Sequence, residues 1–217
     1  MKQVVVFGLG RFGGNLIKAF APLNIEVLAV DSHQDKVNYF AQFATHAVQA
    51  NAIDEHVLKD LGIRNFDLAV VSFGDDIEAS ILTCMQLKDI GVPVVWAKAQ
   101  NDYHQKVLEK VGVDRIIQPE RDMARRVAHY VTSEKVVDFI ELSDQHSIIE
   151  VVATENVHLK TIKDLDFRAK FGCSIVGIQR GGDMIAVPMP EEMLREGDVL
   201  IVMGHNRDLA RLEEQGV

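Results

Sequence analysis

The chain has 217 residues, enough for one large domain or a medium and a small one, and its 47% apolar and 25% charged residues match an ordinary globular protein rather than a disordered tail, a collagen or a coiled-coil rod. A formal net charge of −9 argues against a broad nucleic-acid footprint, which needs a basic face, while leaving room for a local pocket that holds one nucleotide. The longest apolar run, Val92–Ala97, falls well short of the roughly 18 residues needed to cross a bilayer.

Met1-Lys2-Gln3 leads directly into the strand-like run Val4–Phe7, so no signal peptide and a cytoplasmic location are expected. The helical spacing of Leu16, Ile17 and Phe20 follows a glycine cluster. Glu26–Val30 predicts a second strand, Val37, Phe40 and Ala41 a helix, and His46–Gln49 a third strand. Asp54-Glu55 would cap a helix carrying Val57, Leu58 and Leu61 that stops at Gly62. Asp67–Ser72 is continuously apolar from Leu68 to Val71, as suits a strand buried on both faces. Asp76–Ile90 predicts a helix ended by Gly91, and Val92–Lys98 a fifth strand with Pro93 near its start. Tyr103–Val111 reads as helix, Arg115–Ile117 as a sixth strand, and Pro119 is placed to open another helix. This alternation predicts an α/β fold, a Rossmann-like doubly wound parallel sheet, over residues 1–118.

The rhythm then changes. Asp122–Thr132 predicts one helix, and Val136–Leu142 and Ile148–Ala153 are consecutive strands with no helix between them. A short helix from Thr161 to Leu165 precedes a strand at Ser174–Gln179, and Gly181-Gly182 signals a hairpin into Met184–Val187. Val199–Met203 is the last strand, and Asn206 would cap a closing helix through Leu212. These elements predict a connecting helix at 119–133 and a small α+β domain at 134–217, with the boundary near Ser133. Cys84 and Cys173 belong to no CxxC and read as reduced structural thiols.

Gly8-Leu9-Gly10-Arg11-Phe12-Gly13 is a full G-x-G-x-x-G between a predicted strand and a predicted helix. In that setting the first glycine allows a tight turn, the second lets phosphates approach the backbone, and the third lets helix and strand pack closely. Asp31, eighteen residues after Gly13 at the end of the second strand, can accept bonds from ribose hydroxyls. Arg11 lies inside the loop, where a guanidinium can grip phosphate oxygens, so ATP or ADP suits the site at least as well as NAD. Signs of catalysis are lacking. The eight histidines stand too far apart for an HxxxH zinc pattern, and there is no G-x-S-x-G elbow or Walker lysine loop. His146, His158 and His205 fall at predicted turns or strand ends and read as solvated.

GLGRFG at 8–13, Asp31, Ala50-Asn51-Ala52 with Asp54-Glu55, Trp96–Gln100 and Ile116–Met123 together resemble the KTN/RCK regulators of potassium transport. Asp164–Cys173 is similar to the family's RCK-C domain, which makes residues 1–118 the RCK-N domain. The resemblance implies a non-enzymatic, cytosolic regulatory subunit. It would assemble from dimers into a homo-octameric ring docked on a dimeric integral membrane potassium channel subunit, and so sit at the inner face of the membrane. Gating would follow ATP versus ADP, with NAD or NADH as further candidate ligands and no nucleic-acid partner.

The resemblance also assigns residues. Gly8, Gly10, Arg11, Phe12 and Gly13 would hold the phosphates, Asp31, Ser32 and His33 the ribose, and Asn51 and Ala52 the adenine. Phe73, Gly74, Asp75, Lys98, Ala99, Gln100, His104 and Glu120 fall on further ligand positions. Phe73 departs from the small or apolar residue common in the family, and Asn51 from its more frequent aspartate. Cyclic di-AMP is implied at a two-fold interface of the C-terminal domain, on Ile162, Asp166, Phe167, Arg168, Ala169, Ile175 and Pro188.

Glu120 would hold Mg²⁺ or Ca²⁺ against ATP. With strand order 3-2-1-4-5-6, the sixth strand lies three places from the first, roughly 14 Å away, so Glu120 is expected to meet the phosphates of a neighbouring subunit rather than those on its own loop. Two other readings compete. An NAD-dependent oxidoreductase with a compact substrate domain would turn over reduced nicotinamide. A redox-sensing transcriptional regulator would need a DNA-binding module, and none is visible.

Overall fold

The structure, a computed structural model, describes residues 2–132 and 136–215. The expected boundary at Ser133 lies outside those residues. Strand β1 (Gln3–Phe7) is buried from Val4 to Phe7 because it lies between β2 (Glu26–Asp31) and β4 (Leu68–Val71), paired in parallel with both. With β3 (His46–Gln49), β5 (Val95–Lys98) and β6 (Arg115–Ile117) these form a six-stranded sheet in the order β3-β2-β1-β4-β5-β6.

Both faces of this sheet are covered, which explains its uninterrupted apolar strands. On one face Val4, Val6, Ala29 and Val70 pack with Ile17 of helix α1 (Arg11–Phe20) and Val37 of α2 (Gln34–Phe40). On the other, Val5, Phe7, Val30 and Val71 pack with residues of three helices. These are Leu58 of α3 (Glu55–Asp60), Cys84 and Leu87 of α4 (Ile77–Asp89), and Leu108 of α5 (Asp102–Val111). Asp54, Asp76 and Asn101 cap α3, α4 and α5 by accepting the N–H groups of His56, Ala79 and His104. The fifth strand starts at Val95, later than the sequence suggests, because the Val92 N–H bonds the Leu87 carbonyl and closes the end of α4. Helices α1 and α2 are clasped together. Lys18 Nζ lies 5.1, 5.6 and 5.2 Å from the ring centres of Tyr39, Phe40 and Phe43.

Helix α6 runs unbroken from Pro119 to Thr132, opening at Pro119 as expected and taking in the Asp122–Thr132 stretch. The chain divides into two compact units, 1–120 and 121–217. The second is built on an antiparallel sheet of β7 (Val136–Ser143), β8 (His146–Val152), β9 (Ser174–Arg180), β10 (Asp183–Ala186) and β11 (Val199–His205), in the order β10-β9-β11-β8-β7. Its core gathers Ile149, Val151, Ile178, Leu200 and Val202 with Leu209 and Leu212 of the closing helix α9 (Asn206–Gln215).

Where one short helix was expected after Thr161 there are two, α7 (Ile162–Leu165) and α8 (Phe167–Phe171). Asp166 between them sits at φ 44°, and that left-handed residue ends the first helix. His146 and His205 are cross-strand partners whose rings touch at 5.2 Å, and His158 Nδ1 accepts the Glu196 N–H at 3.0 Å. His146 and His158 are nonetheless exposed, as their turn positions suggest, and His205 is half-buried.

Candidate nucleotide-binding site

The phosphate loop is shaped by two different needs. Gly8 has φ +88°, and a β-carbon there would stand 2.7 Å from the Ser72 carbonyl oxygen. A β-carbon on Gly13 would collide with the Gly8 carbonyl oxygen. The protein itself therefore demands glycine at both positions. Gly10 is different, because a β-carbon there would meet no heavy atom within 4 Å. Its open face lines a cleft of ≈ 960 Å³ at the carboxyl edge of the sheet, so close approach of a ligand to its backbone is the remaining reason for glycine. Helix α1 starts at this point with no side-chain cap and no acidic residue in its first turn, which leaves its amino end free of competing negative charge.

Asp31 stands beside the loop at the end of β2 and is 6% exposed. Its Oδ2 accepts the Leu9 N–H at 2.7 Å, and its Oδ1 accepts the His33 N–H at 2.9 Å. The His33 ring (Nδ1 at 3.0 Å) and the Lys36 ammonium (3.5 Å) complete the set. Burial alone would raise the pKa of this carboxyl. The two backbone donors, with His33 and Lys36, outweigh burial and hold it below the ordinary aspartate value. The same carboxylate therefore fastens the glycine loop to β2 and faces the cleft.

The opposite wall comes from the loops after β4, β5 and β6. Phe73 lies against Gly8, Gln100 Nε2 donates to Asp75 Oδ1 at 3.4 Å, and Lys98 Nζ donates to Glu120 Oε1 at 2.6 Å. The bonded Lys98, with Arg11 farther off, holds the Glu120 carboxyl below the usual glutamate value. Glu120 and the Gly8–Phe12 loop border one cleft in the same chain.

Of the residues expected to bind nucleotide, Gly8, Gly10, Arg11, Phe12, Asp31, Ser32, His33, Asn51, Ala52, Phe73, Gly74, Asp75, Lys98, Gln100 and Glu120 line this cleft. Gly13, Ala99 and His104 do not. Gly13 is packed on the Gly8 carbonyl, and Ala99 is 1% exposed with its N–H bonded to the Ile117 carbonyl. His104 is 2% exposed; its Nδ1 accepts the Gln100 N–H at 3.3 Å, and burial lowers its pKa. It shapes the loop after β5 from behind.

Sequence reading missed Lys36 and Ser72, both in the cleft wall. Lys36 was legible in principle, lying five residues after Asp31 in the first turn of α2. Ser72 carried no signal, and its buried hydroxyl has no hydrogen-bond partner among the described residues. Among the described residues no group of three or more His, Cys, Asp or Glu side chains gathers to hold a metal ion. Glu120 alone would bind a cation only with oxygens from a ligand.

In the C-terminal unit Phe167 is 3% exposed and belongs to the core, so it offers no face to a ligand. This corrects its place among the expected cyclic di-AMP contacts. Ile162, Ile175 and Pro188 are half-buried, and Asp166, Arg168 and Ala169 are exposed. Arg168 Nε donates to Ser174 Oγ at 3.1 Å.

Fold and site together define a Rossmann-type nucleotide cleft joined to a small antiparallel domain. The TrkA-N domain family matches residues 4–119 and the TrkA-C domain family residues 146–215. The chain is 50% identical to Ktr system potassium uptake protein A of Bacillus subtilis over 100% of this chain and 97% of that protein, and 49% identical to Ktr system potassium uptake protein C of the same organism over 99% and 97%. Identity to the Vibrio alginolyticus protein A is 36%, over 96% of this chain and 95% of that one. The GsuK channel has the same fold at a TM-score of 0.72 and 21% identity, covering 98% of this chain and 39% of that chain. The chain belongs to the Ktr potassium uptake family of TrkA-N/TrkA-C proteins. Among its described residues no helix is long and apolar enough to cross a membrane.

Proposed function

We propose that this chain is the nucleotide-sensing regulatory subunit of a potassium-uptake channel or transporter, and that adenine nucleotides are its effectors rather than its substrates. The observation that carries this reading is one cleft that joins a phosphate loop with an open Gly10 face, Arg11, Asp31 and Lys98. Full-length identity to Ktr potassium uptake proteins supports it. Asp31, Ser32 and His33 hold the ribose, Asn51 and Ala52 border the base, and Arg11 meets the terminal phosphates. ATP and ADP then bias two conformations by binding them unequally. Glu120 holds Mg²⁺ or Ca²⁺ jointly with phosphate oxygens, a usual arrangement for these ions, and the cation neutralises charge there.

The chain works as a homo-oligomer, dimers building an octameric ring, docked on an integral membrane potassium channel subunit at the cytoplasmic face. Its C-terminal domain takes cyclic di-AMP across a two-fold interface, on the exposed Arg168 and Ala169 with Ile162, Ile175 and Pro188 beside them. Thermal-shift titration of the full chain with ATP, ADP, NAD and NADH tests the central reading. ATP and ADP should raise the melting temperature without any oxidation of NADH. Turnover of NADH, or no response to any adenine nucleotide, overturns it.

A further inference from the structure

The nucleotide cleft occupies the carboxyl end of the six-stranded sheet. At the opposite, amino end a second groove of ≈ 510 Å³ opens beside the edge strand β3. Its floor is apolar, with Val48, Leu61 and Phe66 half-buried and packed on the core. Its rim is acidic. Glu26 accepts from the neutral Gln3 amide at 2.7 Å rather than from a cation, and Asp60 stands exposed at the end of α3.

The strand beside this groove is open to further pairing. The Ala50 N–H bonds the Asp31 carbonyl, so the alternation of β3 turns the N–H and C=O groups of Ala47 and Gln49 away from β2 and out of the sheet. Edge strands are commonly blunted by a lysine, another charge or a proline. Here they are not, since Val37 to Ile53 contains no Asp, Glu, Lys, Arg or Pro. An uncharged edge next to an apolar, acid-rimmed groove suits an extended segment that alternates aliphatic and basic side chains. Its backbone would extend the sheet, its aliphatic groups would fill the groove, and its cations would meet Glu26 and Asp60. The cytoplasmic loops of membrane proteins are rich in Lys and Arg, whereas a second copy of this chain, at net −9, brings the wrong charge. The groove also shares elements with the cleft. Strand β2 runs from Glu26 in the groove to Asp31 in the cleft, and Ala52 in the cleft leads through α3 to Asp60 in the groove.

We propose that β3 and this groove dock, by strand addition, a basic and aliphatic segment from the cytoplasmic side of the integral membrane partner. This rests on the proposed function above. The probe is a fluorescent decapeptide of alternating Val and Lys, titrated against the full chain by anisotropy, with Val–Glu and Gly–Lys decapeptides as controls. The Val–Lys peptide should bind about tenfold or more tighter than either control. Glu26→Lys combined with Asp60→Lys should reverse the preference between the Val–Lys and Val–Glu peptides. Ala47→Pro, which leaves the pairing with β2 intact, should weaken Val–Lys about tenfold, the loss of one or two strand hydrogen bonds. Thermal melts show whether the variants fold, and the double lysine variant decides alone should Ala47→Pro not. Equal affinity for Val–Lys and Gly–Lys overturns the proposal, as does a Val–Lys affinity that no folded variant lowers, because the acidic chain then attracts cations without using this edge. Self-association in sedimentation that Ala47→Pro abolishes, with no peptide bound, makes the edge a contact between copies and overturns it as well. Thermal shifts with ATP and ADP on the same samples separate the two readings. Nucleotide shifts without peptide binding overturn the docking surface alone, and peptide binding without nucleotide shifts supports the groove and removes the proposed function.

Discussion

Replacing Asp31 with alanine tests the double role of this carboxylate. The Leu9 N–H, on a residue 2% exposed, loses its acceptor at 2.7 Å. A stranded buried donor costs about 1–3 kcal/mol. The His33 N–H also loses its acceptor, but that residue is solvent-facing and adds less. The expected loss is about 2–4 kcal/mol, or about 4–16 °C in melting temperature for a chain of this size. Asp31→Asn keeps one acceptor and should lose about half as much. Urea unfolding followed by the fluorescence of Trp96, the single tryptophan and part of β5, reads the first unit directly.

The sign of the pH dependence follows from the lowered pKa of Asp31. Its contribution is complete above the ordinary aspartate range and disappears as pH falls through the lower folded value. The gap between wild type and Asp31→Ala should therefore be wide at pH 6 and narrow toward pH 3. An alanine variant with the wild-type midpoint at pH 6 would show that the Leu9 N–H does not depend on this carboxylate, and the reasoning would fail.

Arg11→Ala should weaken ATP about tenfold to a hundredfold while sparing adenosine, as the loss of a charge-assisted phosphate bond requires, and equal weakening of both by calorimetry sinks the assignment. Arg180→Met should destabilise the second unit by about 3 kcal/mol, because it leaves Asp198, 2% exposed, without its guanidinium partner at 2.8–2.9 Å. Far-UV circular dichroism in urea reads that loss, and a change inside the noise would mean that the Arg195 N–H suffices for Asp198. Burial pushes the Cys84 thiol up to about 12 and the Cys173 thiol up to about 11. Both should stay unreactive to a disulfide reagent at pH 8 until the protein unfolds, and a fast-reacting thiol in the native protein would contradict their burial.

The six-stranded sheet was legible because its strands carry their own signature. Leu68–Val71 is apolar without alternation, and only burial on both faces makes that pattern favourable. The Asp54 cap was legible for a similarly local reason, since it precedes α3 and accepts the N–H two residues on. Asp76 and Asn101 cap α4 and α5 in the same way, but the sequence reading named neither as a cap. The left-handed turn at Asp166 was not legible, since nothing in Asp164–Phe167 distinguishes a kinked pair of helices from one. Phe167 was misplaced for the same reason. Its burial follows from the turn that points it into the core.

In the candidate site, the glycines and Asp31 could be read because each follows from backbone geometry within one βαβ unit. The Lys98–Glu120 pair could not, because it joins residues from separate loops and the sheet alone decides that they meet. Such bonds change what an affinity for nucleotide means. Lys98 already bonds Glu120 at 2.6 Å, and both oxygens of Asp31 already hold donors. A nucleotide exchanges such bonds for its own, so binding is a difference between two bonded states rather than a sum of new contacts. On the proposed function, the γ-phosphate that ATP has and ADP lacks would draw Lys98 and Arg11, while the cation proposed at Glu120 would offset its repulsion. The two proposed effectors would then differ most at Glu120, in the first turn of α6. Discrimination between them would belong at that ion pair, while Asp31 and the glycine loop would serve both alike.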